Sequence, residues 1–182
     1  MPQPTSKRAD AARNRDRILA AARTAFAGAD ADVSMAEISR RAGVGMATLY
    51  RNFPGRRELL EALYTEEVDA ICAAAADAPD DPAGARLTAW VRRFFAFSTS
   101  KRAIAAELLT HVAGTDPVFE GGRTRVLAAG RPLLEAAQAA GEVRADLTLE
   151  QVLDMVIAIA RIQGDAAYVE PILDAAFAGL RP

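Results

Sequence analysis

Cysteine and histidine are nearly absent from this chain of 182 residues, which holds only Cys72 and His111. A single cysteine excludes an internal disulfide and suits a reducing compartment, and Cys72, in an alanine-rich run, reads as a small core residue. One of each type also excludes the clustered ligands of a metal site. Lysine is scarce as well. Twenty of the 22 basic residues are arginine, and with abundant alanine this reads as a GC-rich coding bias before it reads as function. Long apolar runs are missing: the longest, Val152 to Ile162, is interrupted by Asp154 and Arg161 and is too short to span a bilayer. The N-terminal MPQPTSKRAD lacks the apolar stretch of a signal peptide. A soluble, cytoplasmic protein is expected, with no membrane partner and no cofactor. No nucleophile-base-orienter set, phosphate loop or catalytic carboxylate pair occurs, so the chain is not expected to be an enzyme.

Charge is present but unevenly placed. Residues 1–60 carry 11 Lys+Arg against 6 Asp+Glu, whereas residues 61–182 carry 11 against 18. A basic segment on an acidic body points to a polyanion partner for the first part alone. Strand patterns are nearly absent and helical ones recur. Ile18, Ala22, Ala25 and Phe26 repeat at helical spacing among Arg13, Arg15, Arg17 and Arg23, giving a first amphipathic helix with a basic face that ends near Gly28. Residues 1–10, ahead of it, are expected to be flexible. Ser34-Met35-Ala36-Glu37 has the form of a capping box and opens a short second helix that stops at Gly43. In RAGVGMATLYRNF, Arg41 to Phe53, the two glycines make a tight corner before a third helix, Met46 to Asn52. Two short helices joined by such a turn form a helix-turn-helix, whose second helix can lie in the major groove of DNA. Its outward set would be Met46, Ala47, Thr48, Tyr50, Arg51 and Asn52, with Leu49 and Phe53 turned to the core.

Gly43-Val44, Thr48-Leu49-Tyr50, Phe53 and Arg56-Arg57-Glu58-Leu59-Leu60 together resemble the DNA-binding domain of the TetR family of bacterial transcriptional regulators, over about residues 11 to 64. The resemblance implies that Thr48 and Tyr50 bind phosphates and that Met46, Ala47 and Asn52 face bases. It further implies that Arg56 anchors the DNA backbone and that Ser34 caps its helix and touches phosphate. Gly45, at the head of the reading helix, and Arg51 belong to the same candidate surface. The partner would be a double-stranded operator.

The rest of the chain continues as helices. A fourth is expected from about Gly55 toward Ala76, and a fifth is marked by Leu87, Trp90, Val91, Phe94 and Phe95. Ile104, Leu108 and Val112 suggest a sixth. A seventh, roughly Val118 to Ala140, contains Gly121-Gly122 and Gly130-Arg131-Pro132, which predict a late start and a kink or break. Thr148-Leu149-Glu150-Gln151 repeats the capping-box form and opens an eighth helix to about Gln163, and Pro171 is read as the start of the last. The eighth is apolar on more than one face and calls for a further cover. The expected architecture is therefore all-α with about nine helices. Residues 1–60 would form a three-helix DNA-binding domain, and residues 61–182 an effector-binding and dimerisation domain.

By the resemblance, the last two helices form a four-helix interface in a homodimer, here through Val152, Val156, Leu173 and Phe177. A small-molecule effector would meet Trp90, Phe94, Glu107, His111, Met155, Ile159 and Gln163, which combine aromatic walls with a few polar groups. The function implied is a repressor released from a palindromic operator by that effector. Two alternatives stay open: a helical enzyme with an accessory helix-turn-helix domain, and a DNA-coating protein without an effector.

Overall fold

The computed structural model describes residues 4–26, 33–77, 81–100, 104, 108 and 117–182, with side chains from residue 9 onward. Among these there are eight helices and no strand: α1 (Pro4–Phe26), α2 (Met35–Ala42), α3 (Met46–Asn52), α4 (Arg56–Ala76), α5 (Ala83–Ser100), α6 (Pro117–Ala139), α7 (Leu149–Ala160) and α8 (Ala166–Ala178). Ile104 and Leu108 are also helical and buried, at the place of the expected sixth helix. Val112 lies outside the described residues. The chain forms two compact units, Met1–Glu66 with Ala103–Gly114 and Glu67–Arg102 with Thr115–Pro182, so the boundary falls inside α4.

In the first unit α1 packs on both α2 and α3. The apolar positions read from the sequence make its core: Ile18, Ala22, Ala25, Phe26, Ile38, Leu49, Phe53, Leu59 and Leu60 are all buried. Fully burying an aliphatic or aromatic side chain of this kind stabilises by about 1.5–3 kcal/mol, which is what holds helices as short as α2 and α3 in place.

In the second unit α5 packs on α6 and α7, α6 on α7, and α7 on α8. Both halves of the capping box form at α7: the Thr148 amide donates to Gln151 Oε1 at 2.9 Å and the Gln151 amide to Thr148 Oγ1 at 3.3 Å. Three sequence expectations are corrected here. α6 starts at Pro117 and runs unbroken through Gly121, Gly122 and Pro132. Proline suits the first helical position, and Pro132 and the Ala128 whose carbonyl it leaves free both lie on the exposed face, where water can serve that carbonyl. α8 starts at Ala166 rather than Pro171, because Asp165 caps it by accepting the Tyr168 amide at 3.0 Å. α7 ends at Ala160, three residues before the expected Gln163.

A fourth correction bears on function. Val152, Leu153, Val156, Leu173 and Phe177 are buried within one chain, with Val156 at 0% exposure. The apolar excess of α7 is thus largely covered by its own subunit. Val152, Val156, Leu173 and Phe177 face that core and are not free to meet a second chain.

Candidate nucleic-acid interface

The corner between α2 and α3 is built by one glycine of the two. Gly43 has φ 61° and ψ 38°, the left-handed conformation that costs a side chain about 1–2 kcal/mol, and its amide donates to the Arg40 carbonyl at 3.2 Å. Gly45, by contrast, has φ −72° and ψ 152°, which any residue adopts, and a Cβ there would meet nothing within 4 Å. The tight corner therefore needs Gly43 alone. Ser39, the buried polar side chain of α2, closes it by donating to the Val44 carbonyl at 2.6 Å, while the Val44 amide returns to the Ser39 carbonyl at 3.1 Å.

Ser34 caps α2 by accepting the Glu37 amide at 3.2 Å. The other half of that capping box does not form. The Glu37 carboxylate instead takes Arg40 at 2.7 Å and Arg41 at 2.6 Å, and these bonds, Arg40's first, hold its pKa below the ordinary value. Two arginines one turn away outcompete a single amide for the same anion.

α3 presents the set that the sequence predicts. Met46 and Tyr50 are 38% and 47% exposed, two of the three large apolar side chains exposed among the described residues, while Leu49 and Phe53 are at 0% and 1%. Ala47 and Arg51 are exposed, and Thr48 and Asn52 are half-buried. The Asn52 amide donates to the Thr48 carbonyl at 2.8 Å, and Arg51 Nε donates to the Ala47 carbonyl at 3.2 Å. Asn52 thus keeps its carbonyl oxygen for an outside partner.

Arg56, expected to anchor the DNA backbone, is engaged within its own unit. Its guanidinium donates to the Val33 carbonyl and lies 5.1 Å over the Phe26 ring. It joins the end of α1 to the segment before α2. Two other arginines, which the sequence shows only as part of a basic face, reach the helix-turn-helix: Arg17 donates to the Gly43 carbonyl at 2.9 Å, and Arg15 lies 4.6 Å over the Phe53 ring. The signal that could have found them is their place on the two flanks of the apolar face of α1, which must meet α2 and α3.

Of the seven expected effector residues, Trp90, Phe94, Met155, Ile159 and Gln163 belong to the second unit. Trp90 is buried, its indole N–H donates to the Ile71 carbonyl at 3.0 Å, and its ring stacks on Phe94 with centroids 6.3 Å apart. Ile159 is buried, Met155 half-buried and Gln163 exposed. Glu107 and His111 lie outside the described residues. A cleft of about 850 Å³ opens elsewhere, lined by Thr88, Arg92, Glu142, Asp174, Phe177 and Leu180 among others, and it includes none of the seven.

Residues 18–63 match the family model of bacterial regulatory proteins of the tetR family, and residues 81–182 match the C-terminal domain of SbtR-like transcriptional regulators. The chain belongs to the TetR family. It is similar to the TetR transcriptional regulator SCO0520 from Streptomyces coelicolor, with 37% identity and a TM-score of 0.76 over 92% of this chain and 98% of that one. A TetR transcription regulatory protein from Mycobacterium vanbaalenii is 31% identical, with a TM-score of 0.77 over 96% and 99%. GusR of Salmonella enterica, 20% identical with a TM-score of 0.62, shares the fold. No curated protein matches the chain. This TetR-family chain is a DNA-binding transcriptional regulator. Regulators of the family bind DNA operators and ligands and dimerise. No helix among the described residues is long and apolar enough to cross a membrane.

Proposed function

We propose that this regulator is a homodimeric repressor that reads a palindromic operator with Met46, Ala47 and Asn52 of α3. Thr48, Tyr50 and the Ser34 hydroxyl contact phosphates, and Arg51 adds charge at the edge of the groove. The observation that carries this reading is the exposure of Met46 and Tyr50 on a seven-residue helix whose other face is locked into the core. Exposed apolar surface on so short a helix is costly unless a partner covers it, and a methionine can meet a thymine methyl. Selection of DNA from a random pool by the purified protein tests it. An enriched inverted repeat, with half-sites ~34–36 Å apart, is the expected result, and enrichment of no sequence would overturn it.

The dimer would pair α7 and α8 of each chain through the side chains that stay outside the subunit core. Tyr168 is 61% exposed, and Met155, Ile157, Ile162 and Ile172 are half-buried. The effector would enter the second unit beside Phe94, Met155 and Ile159, on helices packed against each other, and α4, shared by both units, would carry the signal. Release requires that the effector bind the DNA-incompetent state more tightly, and a coupling of ~1–3 kcal/mol weakens operator binding about 5–150-fold. Titrating the selected operator with and without compounds that raise the melting temperature tests this step. By reciprocity, operator DNA must weaken effector binding by the same factor.

A further inference from the structure

We propose that Arg15 and Arg17 of α1 are positioning residues that set the reading helix by clamping both of its ends. Arg17 donates to the Gly43 carbonyl, in the turn that leads into α3, and Arg15 lies on the ring of Phe53, the residue that caps α3. The two are two positions apart, about 200° around α1, so one helix sends a cation to each side. Both attachments reach backbone or core rather than another exposed side chain: Gly43 is fixed by its left-handed φ, and Phe53 is 1% exposed. The fit at the turn is close. A Cβ on Gly43 would stand 2.6 Å from Arg17 Nη2, so the absent side chain is what lets the guanidinium lie against the turn.

α3 cannot hold its angle by itself and takes it from the burial of Leu49 and Phe53 together with the two arginines. It is seven residues long, its N-cap Gly45 offers no side-chain cap, and a helix of that length is not stable alone. Base readout by Met46 and Asn52 depends on the angle at which α3 enters the groove, whereas phosphate attraction tolerates a tilt. Losing the clamp therefore costs discrimination among sequences before it costs attraction to DNA. The inference rests on the reading of α3 as the recognition helix.

The experiment measures binding of the pool-selected operator and of a random duplex of equal length over a range of KCl, for wild type, Arg17→Ala, Arg17→Lys and Arg15→Ala. The expected result is an operator-to-random ratio about tenfold lower in both alanine variants, with the salt slope on random DNA unchanged. Arg17→Lys, whose ammonium can still donate to the Gly43 carbonyl, should recover most of the ratio. A loss shared equally by both duplexes, with the slope lowered by about 0.9, would make these arginines phosphate contacts and overturn the clamp. Partial unfolding also lowers both affinities by one factor and leaves the ratio intact, so a retained ratio overturns the proposal whatever its origin. A wild type that does not discriminate would sink the recognition-helix reading as well, whereas a discriminating wild type beside variants that discriminate equally would sink only the clamp.

Discussion

Gly130 of α6 lies against the indole of Trp90 on α5, so close that a Cβ on the glycine would stand 2.2 Å from the ring's Cη2. The indole N–H is meanwhile held by the Ile71 carbonyl of α4, and one side chain thus fixes three helices of the second unit. Gly130→Ala must push the ring off that bond or separate α5 from α6. Overpacking of this kind costs about 1–3 kcal/mol, and at ~2–4 °C per kcal/mol the melting temperature should fall by several degrees. Trp90 is the sole tryptophan, so its emission reports the displacement directly. An unchanged spectrum and melting point would show that the contact is not rigid.

The corner of the helix-turn-helix gives a second contrast. Gly43→Ala meets both a left-handed φ and the Arg17 guanidinium, and a loss of about 1–2 kcal/mol is expected from the backbone alone. Gly45→Ser has open space and an N-cap conformation suited to serine, so it should stay within about 0.5 kcal/mol of wild type. Urea unfolding of the two variants checks the difference, and equal losses would mean that the two glycines share the strain.

These two glycines also show what the sequence makes legible. The helix-turn-helix can be read because its signals are local: a serine cap, a glycine stop and an apolar pattern of period 3.6. Gly45 looks equivalent to Gly43 in the sequence, and only its dihedral angles separate the two. Arg56 illustrates a different limit. Its position invites a phosphate, but the Val33 carbonyl and Phe26 ring that hold it lie 23 and 30 residues away and leave no mark in its own neighbourhood. Pro132 and Pro171 mislead for a related reason, since a proline's cost depends on whether water reaches the carbonyl it frees. The apolar excess of α7 was legible, but its cover within the subunit depends on packing that no single helix encodes.

That cover decides how the proposed dimer should be tested. Phe177→Asp would place a carboxylate in the subunit core, at 8% exposure and beneath Arg92, whose guanidinium lies 4.9 Å over the ring. Loss of the fold is expected, several kcal/mol being the usual penalty for burying a charge without an adequate partner. Tyr168→Asp changes an exposed side chain and should leave the helical content and subunit stability intact. If α8 pairs with its copy, the variant should sediment as a monomer at micromolar concentration while wild type sediments as a dimer. A dimer that tolerates Tyr168→Asp would move the interface to the half-buried Ile157 and Ile172.

The reading surface separates into three behaviours that one set of salt titrations can resolve. Met46→Ala removes an exposed side chain with no hydrogen-bonding group, so it should change the ranking of operator variants by about 1–3 kcal/mol at the base step it meets and leave random DNA unaffected. Tyr50→Phe removes one neutral donor and should weaken all duplexes by a similar factor with the salt slope kept, because no counterion-releasing charge is lost. Arg56→Ala differs from both. With its guanidinium held on the Val33 carbonyl and the Phe26 ring, its removal should lower the unfolding free energy and leave the salt slope within experimental scatter. A slope reduced by about one unit would mean that Arg56 leaves those partners for a phosphate when DNA binds, and α1 would then lose its tie to the segment before α2 on the operator.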